Sequence, residues 1–189
     1  MRNQENNINV ISYDDKYEDD FVRVYQSVYS EKPYCESFTE DDVKEVADQT
    51  DMYLLISEDD EAIGFVGGMP LSEFYKMHPE EELNLKAGVK NAVDAYYIAE
   101  LGISREKQRR GLGKELFGKF ISMAESKGYK AFVLCTADKN NKAQRLYENF
   151  GFQRCRDEKE NVIYRKVTQL RTNGKEESDN RPYYVRSSQ

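Results

Sequence analysis

The chain has 189 residues, 28 Lys and Arg against 35 Asp and Glu for a formal charge of −7, and it is 39% hydrophobic and 12% aromatic. That length holds one domain, or one domain with an extension, and the hydrophobic share is too large for a disordered chain. The longest apolar stretch, Ile63 to Leu71, is broken by glycines and falls short of the roughly 18 residues of a membrane span, while the acidic balance speaks against nucleic acid as a partner.

Asn9 to Tyr13 reads as a short first strand, and Glu18 to Ser30 as a helix with Phe21, Val22, Tyr25 and Val28 on one stripe. Glu31 to Phe38 is a loop around Pro33. Thr39 is a good N-cap for a second helix, with acidic residues in the first turn and Val43, Val46 and Ala47 on its apolar face. Met52 to Ser57 and Ala62 to Gly68 form a hairpin across the acidic turn Glu58 to Glu61. Leu71 to Asp94 is polar and long for a hairpin connection. It reads as an excursion with some helix before Pro79, serving as a lid or an interface.

Ala95 to Ile103 is the strongest strand in the chain. A basic loop and Gly111-Leu112-Gly113 follow, then a helix carrying Leu116, Phe117, Phe120, Ile121 and Ala124 and closed by Gly128. Ala131 to Cys135 is a strand between two helices, as a parallel crossover requires. Asn141 to Asn149 is a short helix stopped by Gly151. Phe152 to Arg156 and Val162 to Val167 close the domain as a hairpin. From Thr168 the composition turns polar, so residues 168–189 are expected to be a tail in which only Tyr183 to Val185 suits a strand.

Residue types exclude more. His78 is the single histidine, so a Ser-His-Asp triad has one candidate, set in a polar segment, and no CxxC or HExxH spacing offers a zinc site. No metal is expected. Cys35, Cys135 and Cys155 are scattered, and Met1 to Tyr13 has no apolar leader core, which together read as reduced thiols of a cytoplasmic protein. Cys135 reads as a small buried strand residue rather than a nucleophile.

The sharpest feature is Gln108-Arg109-Arg110-Gly111-Leu112-Gly113-Lys114. Glycines after a strand let the backbone turn tightly and leave successive N–H groups at a helix N-terminus, where a phosphate or pyrophosphate can sit. A dinucleotide fingerprint would need Gly at Leu116, and a P-loop would need Ser or Thr at Glu115; both fail. The second feature is Asn140-x-x-Ala143-x-x-Leu146-Tyr147-x-x-x-Gly151-Phe152. Taken alone, Tyr147 reads first as a core aromatic beside Leu146.

Together the two segments resemble the GNAT family of acyl-CoA-dependent N-acetyltransferases, in which the first follows the fourth strand and the second follows the fifth. The resemblance implies an α/β fold of the α+β kind. Its central sheet is mixed and mostly antiparallel, holds one βαβ unit, is splayed between strands 4 and 5, and carries helices on both faces, within one domain spanning residues 1–167. It also implies acetyl-CoA as acyl donor. Gln108 to Lys114 would take the pyrophosphate, Leu101, Gly102 and Ile103 would meet the pantetheine arm, with the splaying bulge at Gly102, Asn140 would hydrogen-bond the coenzyme, and Ala143 would lie against it. Tyr147 would protonate the leaving thiolate. Glu100 is the candidate general base, pointing opposite Leu101 and buried among Tyr96, Tyr97 and Ile98, or else a bystander that orders water. Tyr34, Glu36 and Phe38 suit an amine acceptor held by a carboxylate between aromatic walls. A non-catalytic acyl-CoA-binding module is the rival reading, and a homodimer is left open.

Overall fold

A computed structural model describes residues 8–79, 94–158 and 161–167. The strands are β1 (Ile8–Ser12), β2 (Met52–Glu58), β3 (Glu61–Pro70), β4 (Ala95–Ile103), β5 (Ala131–Ala137), β6 (Gln153–Glu158) and β7 (Asn161–Val167). The helices are α1 (Glu18–Tyr29), α2 (Glu40–Asp48), α3 (Leu71–Met77), α4 (Leu112–Ser126) and α5 (Asn141–Asn149). The strands form one sheet in the order β1-β2-β3-β4-β5-β7-β6. Among the described residues only β4 and β5 pair in parallel, joined through α4 as a crossover demands.

Alternation along β2 builds both cores. Tyr53 and Leu55 pack with Phe21, Tyr25 and Val43 of α1 and α2 on one face. Met52, Leu54 and Ile56 pack with α4 and α5 on the other. A strand covered on both faces needs an unbroken apolar run, which MYLLI supplies. The large buried side chains of α4, among them Leu116, Phe117 and Phe120, each contribute about 1.5–3 kcal/mol to holding it on the sheet.

Local chemistry sets the ends of the elements. Thr39 and Asp42 form a capping box: the Asp42 N–H donates to Thr39 Oγ1 at 3.2 Å, and the Thr39 N–H donates to the Asp42 carboxylate at 2.7 Å. Asp59 and Asp60 both adopt positive φ (53° and 68°), the conformation of a tight hairpin turn. The helix expected before Pro79 is α3. The remainder of the 71–94 excursion, from residue 80 to 93, and the tail at 168–189 lie outside the described residues.

The sheet is irregular where it matters. Opposite β3, Glu100 pairs with Gly67 and Ile98 with Gly68, so Ala99 is an extra residue on β4. Opposite β5 the ladder ends at Ile98 and Leu134. Beyond Ile98 the two central strands part. The bulge therefore lies at Ala99 and not at Gly102, because the register shift falls between Ile98 and Glu100, while Gly102 pairs regularly with Phe65.

Candidate active site

A strand repeats its facing every second residue. Tyr96 lies against Phe120 of α4, with ring centroids 5.9 Å apart, and Ile98 belongs to the same cluster. Unbroken alternation would put Glu100 beside them. The extra residue at Ala99 reverses the phase, and Glu100 emerges on the α1 face. There its carboxylate accepts a hydrogen bond from Tyr25 Oη at 3.3 Å and a very short one from Tyr29 Oη. Tyr25 and Tyr29 are one helical turn apart on α1, with rings 4.6 Å apart. Phe38 closes against both rings, Tyr34 lies 5.0 Å from Tyr29, and Phe65 stacks on Tyr25 at 5.3 Å and 24°. An added Cβ at Gly102 would lie 2.6 Å from Phe65 Cζ, so that strand position must stay bare.

Burial raises the Glu100 carboxyl to about 7; the two tyrosine hydroxyls oppose the rise, and the Glu36 charge adds to it. The expected neighbours Tyr96 and Ile98 give way to the α1 tyrosines, because the bulge turns the side chain away from the α4 core that they pack in. Desolvation, and secondarily the charge of Glu100, lifts both Tyr25 and Tyr29 well above the usual phenol range, so they remain donors.

The margin of β4 facing β5 is open. The Ser104 N–H donates to the Ile63 carbonyl on β3 at 2.9 Å. By alternation the backbone groups of Leu101 and Ile103 face the other way, into the gap left by β5. Gln108 Nε2 donates to the Ile103 carbonyl at 3.1 Å, and Gln108 Oε1 accepts from Lys142 Nζ at 3.5 Å.

Arg109 (φ 65°) and Gly111 (φ 82°) put left-handed turns into the loop that precedes α4. Among the described residues, the backbone N–H groups of Arg109, Arg110, Gly111, Leu112 and Gly113 have no hydrogen-bond partner; the first to find one is Lys114, which donates to the Gly111 carbonyl at 3.0 Å. Such a run of free N–H groups at a helix start is an anion cradle. An open groove continues from it past Lys114, Gly118 and Lys119 to Phe150. Arg110 is not aimed at the cradle: its guanidinium engages Glu58. Glu58, read from sequence as part of a solvated turn, is only 4% exposed.

Asn140 caps α5, its Oδ1 accepting from the Ala143 N–H at 3.3 Å, while its Nδ2 donates to Tyr34 Oη at 3.0 Å. Arg105 Nη1 donates to the Glu31 carboxylate at 2.6 Å. The loop Glu31 to Phe38 is thus tied to the residues that follow β4 and to those that follow β5. Tyr34 and Phe38 join the Glu100 site directly, whereas Glu36 is exposed and acts on it through charge.

The core reading of Tyr147 holds for its ring, which lies 5.4 Å from Phe117 and 5.9 Å from Tyr164. Its hydroxyl has no hydrogen-bond partner among the described residues. Burial, with the negative charge of Glu100 and the neighbouring Tyr34 adding to it, raises its pKa and keeps it protonated. Gln144, which the sequence reading passed over, donates to the Ala137 and Asp138 carbonyls at 3.2 and 2.7 Å and fixes the start of α5. Among the described residues no group of three His, Cys, Asp or Glu could hold a metal ion, and no helix is long and apolar enough to cross a membrane.

Comparison with known proteins agrees with this arrangement. Residues 15–152 match the model of the acetyltransferase (GNAT) family. A Xenopus laevis protein described as "Probable N-acetyltransferase camello" is 28% identical over 96 residues, which are 51% of this chain and 36% of that protein, so the match spans about a third of the relative's length. The ribosomal-protein-S18-alanine N-acetyltransferase of Escherichia coli shares the fold with a TM-score of 0.64 at 15% identity, covering 89% of this chain and 99% of that one. The PaiA N-acetyltransferase of Thermoplasma acidophilum, solved in complex with coenzyme A, does so with a TM-score of 0.62 at 13% identity, covering 85% and 99%. The match to the family model covers well over half of the sequence, and the chain belongs to the acetyltransferase (GNAT) family.

Proposed function

We propose that the protein transfers an acetyl group from acetyl-CoA to a primary amine of a small molecule, peptide or protein, by direct attack within a ternary complex. The observation that carries this is a carboxylate held by the Tyr25 and Tyr29 hydroxyls on the strand whose margin β5 leaves open, together with a Tyr147 hydroxyl that has no partner among the described residues. The anion cradle from Arg109 to Gly113 fits a pyrophosphate, and the backbone of Leu101 and Ile103, turned toward the gap left by β5, fits an extended amide-bearing arm.

When bound, the coenzyme supplies the acyl group as an activated thioester. Glu100, ionised near neutral pH, takes a proton from the ammonium acceptor and so frees its lone pair. The aromatic rings of Tyr29, Tyr34 and Phe38 suit the cationic form of that acceptor as it arrives. The Ile103 N–H stands ready to steady negative charge on the acyl oxygen. Tyr147 donates its phenolic proton to the departing sulfur.

Titrating acetyl-CoA, CoA, NAD and ATP separately into the protein tests the reading. Binding confined to the two CoA compounds, followed by amine-dependent release of free thiol from acetyl-CoA, is the expected result. Binding without thiol release across a broad amine panel would identify a non-catalytic acyl-CoA-binding module instead.

A further inference from the structure

The loop between β4 and α4 is held from below by a carboxylate outside the motif. Glu58 is the last residue of β2, and its side chain is 4% exposed, against 35% for Arg110 and 36% for Lys107. Arg110 engages it with both terminal nitrogens, Nη2 to Oε1 at 2.5 Å and Nη1 to Oε2 at 3.1 Å, and Lys107 Nζ reaches Oε2 at 2.5 Å. A buried carboxylate stripped of such partners is strongly unfavourable, so the pair holds its geometry. Arg109, with φ 65°, lies between the two tethered residues, and the free N–H groups begin there.

We propose that Glu58 is a positioning residue for the coenzyme: by gripping Arg110 and Lys107 it presets the backbone cradle from Arg109 to Gly113, and Arg110 acts through this tether, not as a ligand of the pyrophosphate. The inference rests on the reading that this loop takes acetyl-CoA. A cradle already shaped before binding loses less freedom on binding, which appears as affinity. A guanidinium gripped end-on through both terminal nitrogens by a buried carboxylate is held where that carboxylate sits, with only its Nε side left for another anion.

A double-mutant cycle separates tether from ligand. CoA is titrated calorimetrically into the wild type, Glu58→Gln, Arg110→Gln and the double variant. The tether predicts that each single change weakens CoA binding by about tenfold and that the double variant is no weaker than the worse single. If Arg110 contacts the pyrophosphate itself, its factor carries over in full onto the Glu58→Gln background, and the proposal is overturned. Should Glu58→Gln fail to fold, Glu58→Asp keeps the charge, draws it back by one methylene, and carries the same cycle. A second readout needs no ligand. Trypsin should cut after Lys107 and Arg109 faster in Glu58→Gln than in the wild type, and an unchanged cleavage rate overturns the tether as well. A wild-type protein that takes up no CoA would remove the coenzyme reading, while the trypsin comparison would still decide whether Glu58 orders the loop.

Discussion

Ile98 and Glu100 are two positions apart on β4 and face opposite sides of the sheet, Ile98 toward α4 and Glu100 toward Tyr25 and Tyr29 of α1. The extra residue at Ala99 produces this inversion, and the same residue marks where β5 leaves the ladder. One irregularity thus opens the sheet and turns the carboxylate toward the aromatic site.

The proposed base, Glu100, can take a proton only when ionised, so the rate should climb through pH about 7 and level off above it. Glu100→Gln should flatten that limb and lower kcat by about 10²–10³-fold; a profile that keeps the limb places the base elsewhere. Stability should move oppositely. The folded pKa lies above the ordinary value of 4.5, so the group's contribution is intact below that value and is lost as pH rises through about 7. With allowance for the partial exposure of the side chain, Glu100→Gln should be more stable than the wild type by about 1–3 kcal/mol at pH 8 and equal to it at pH 4. Urea melts at both pH values check the sign.

Tyr147→Phe removes a hydroxyl that bonds to nothing among the described residues while keeping the ring against Phe117 and Tyr164. Its melting temperature and CoA affinity should stay near wild type, and kcat should fall by about 10²-fold. Equal losses in affinity and turnover would remove the proton-donor role.

Gly111→Val sets a β-branched residue at φ 82°, where an added Cβ meets nothing within 4 Å. The cost is therefore backbone strain of about 1–3 kcal/mol, with no steric clash. Relaxing that strain moves the cradle N–H groups, so CoA binding should be lost while the fold survives. Retained affinity by calorimetry would show that the cradle lies elsewhere.

Thr136 on β5 is 4% exposed, and its buried Oγ1 has no hydrogen-bond partner among the described residues. Thr136→Val keeps the shape and removes the unsatisfied oxygen, which should stabilise the protein by about 1–2 kcal/mol in urea titration. A loss of stability would mean that the hydroxyl is bonded after all.

The elements themselves were legible because each rests on local signals. Ala95 to Ile103 emerges with the bounds its apolar run announces, and Thr39 caps α2 as the acidic first turn behind it suggests. The motif loop and Tyr147 stand out in the sequence because their residue types carry chemistry wherever they fall. What escaped depends on phase and on distant partners. A bulge at Ala99 leaves no mark in AYYIAELGI, so Glu100 was assigned to the wrong neighbours. Tyr25 shows only as part of an apolar stripe, and nothing local tells that it and Tyr29 meet a carboxylate more than 70 residues away. Glu58 sits in a run of acids that looks solvated, and only the folded β2 end shows which one is buried.

The bare position at Gly102 has a consequence for how such an enzyme can diverge. Phe65 fills the space above it and stacks on Tyr25, which in turn bonds Glu100. A single methyl at residue 102 would displace Phe65 and, through it, the tyrosine that holds the carboxylate. The surroundings of Glu100 therefore depend on a residue that has no side chain of its own, and divergence at 102 is closed off as firmly as if the position carried a polar partner.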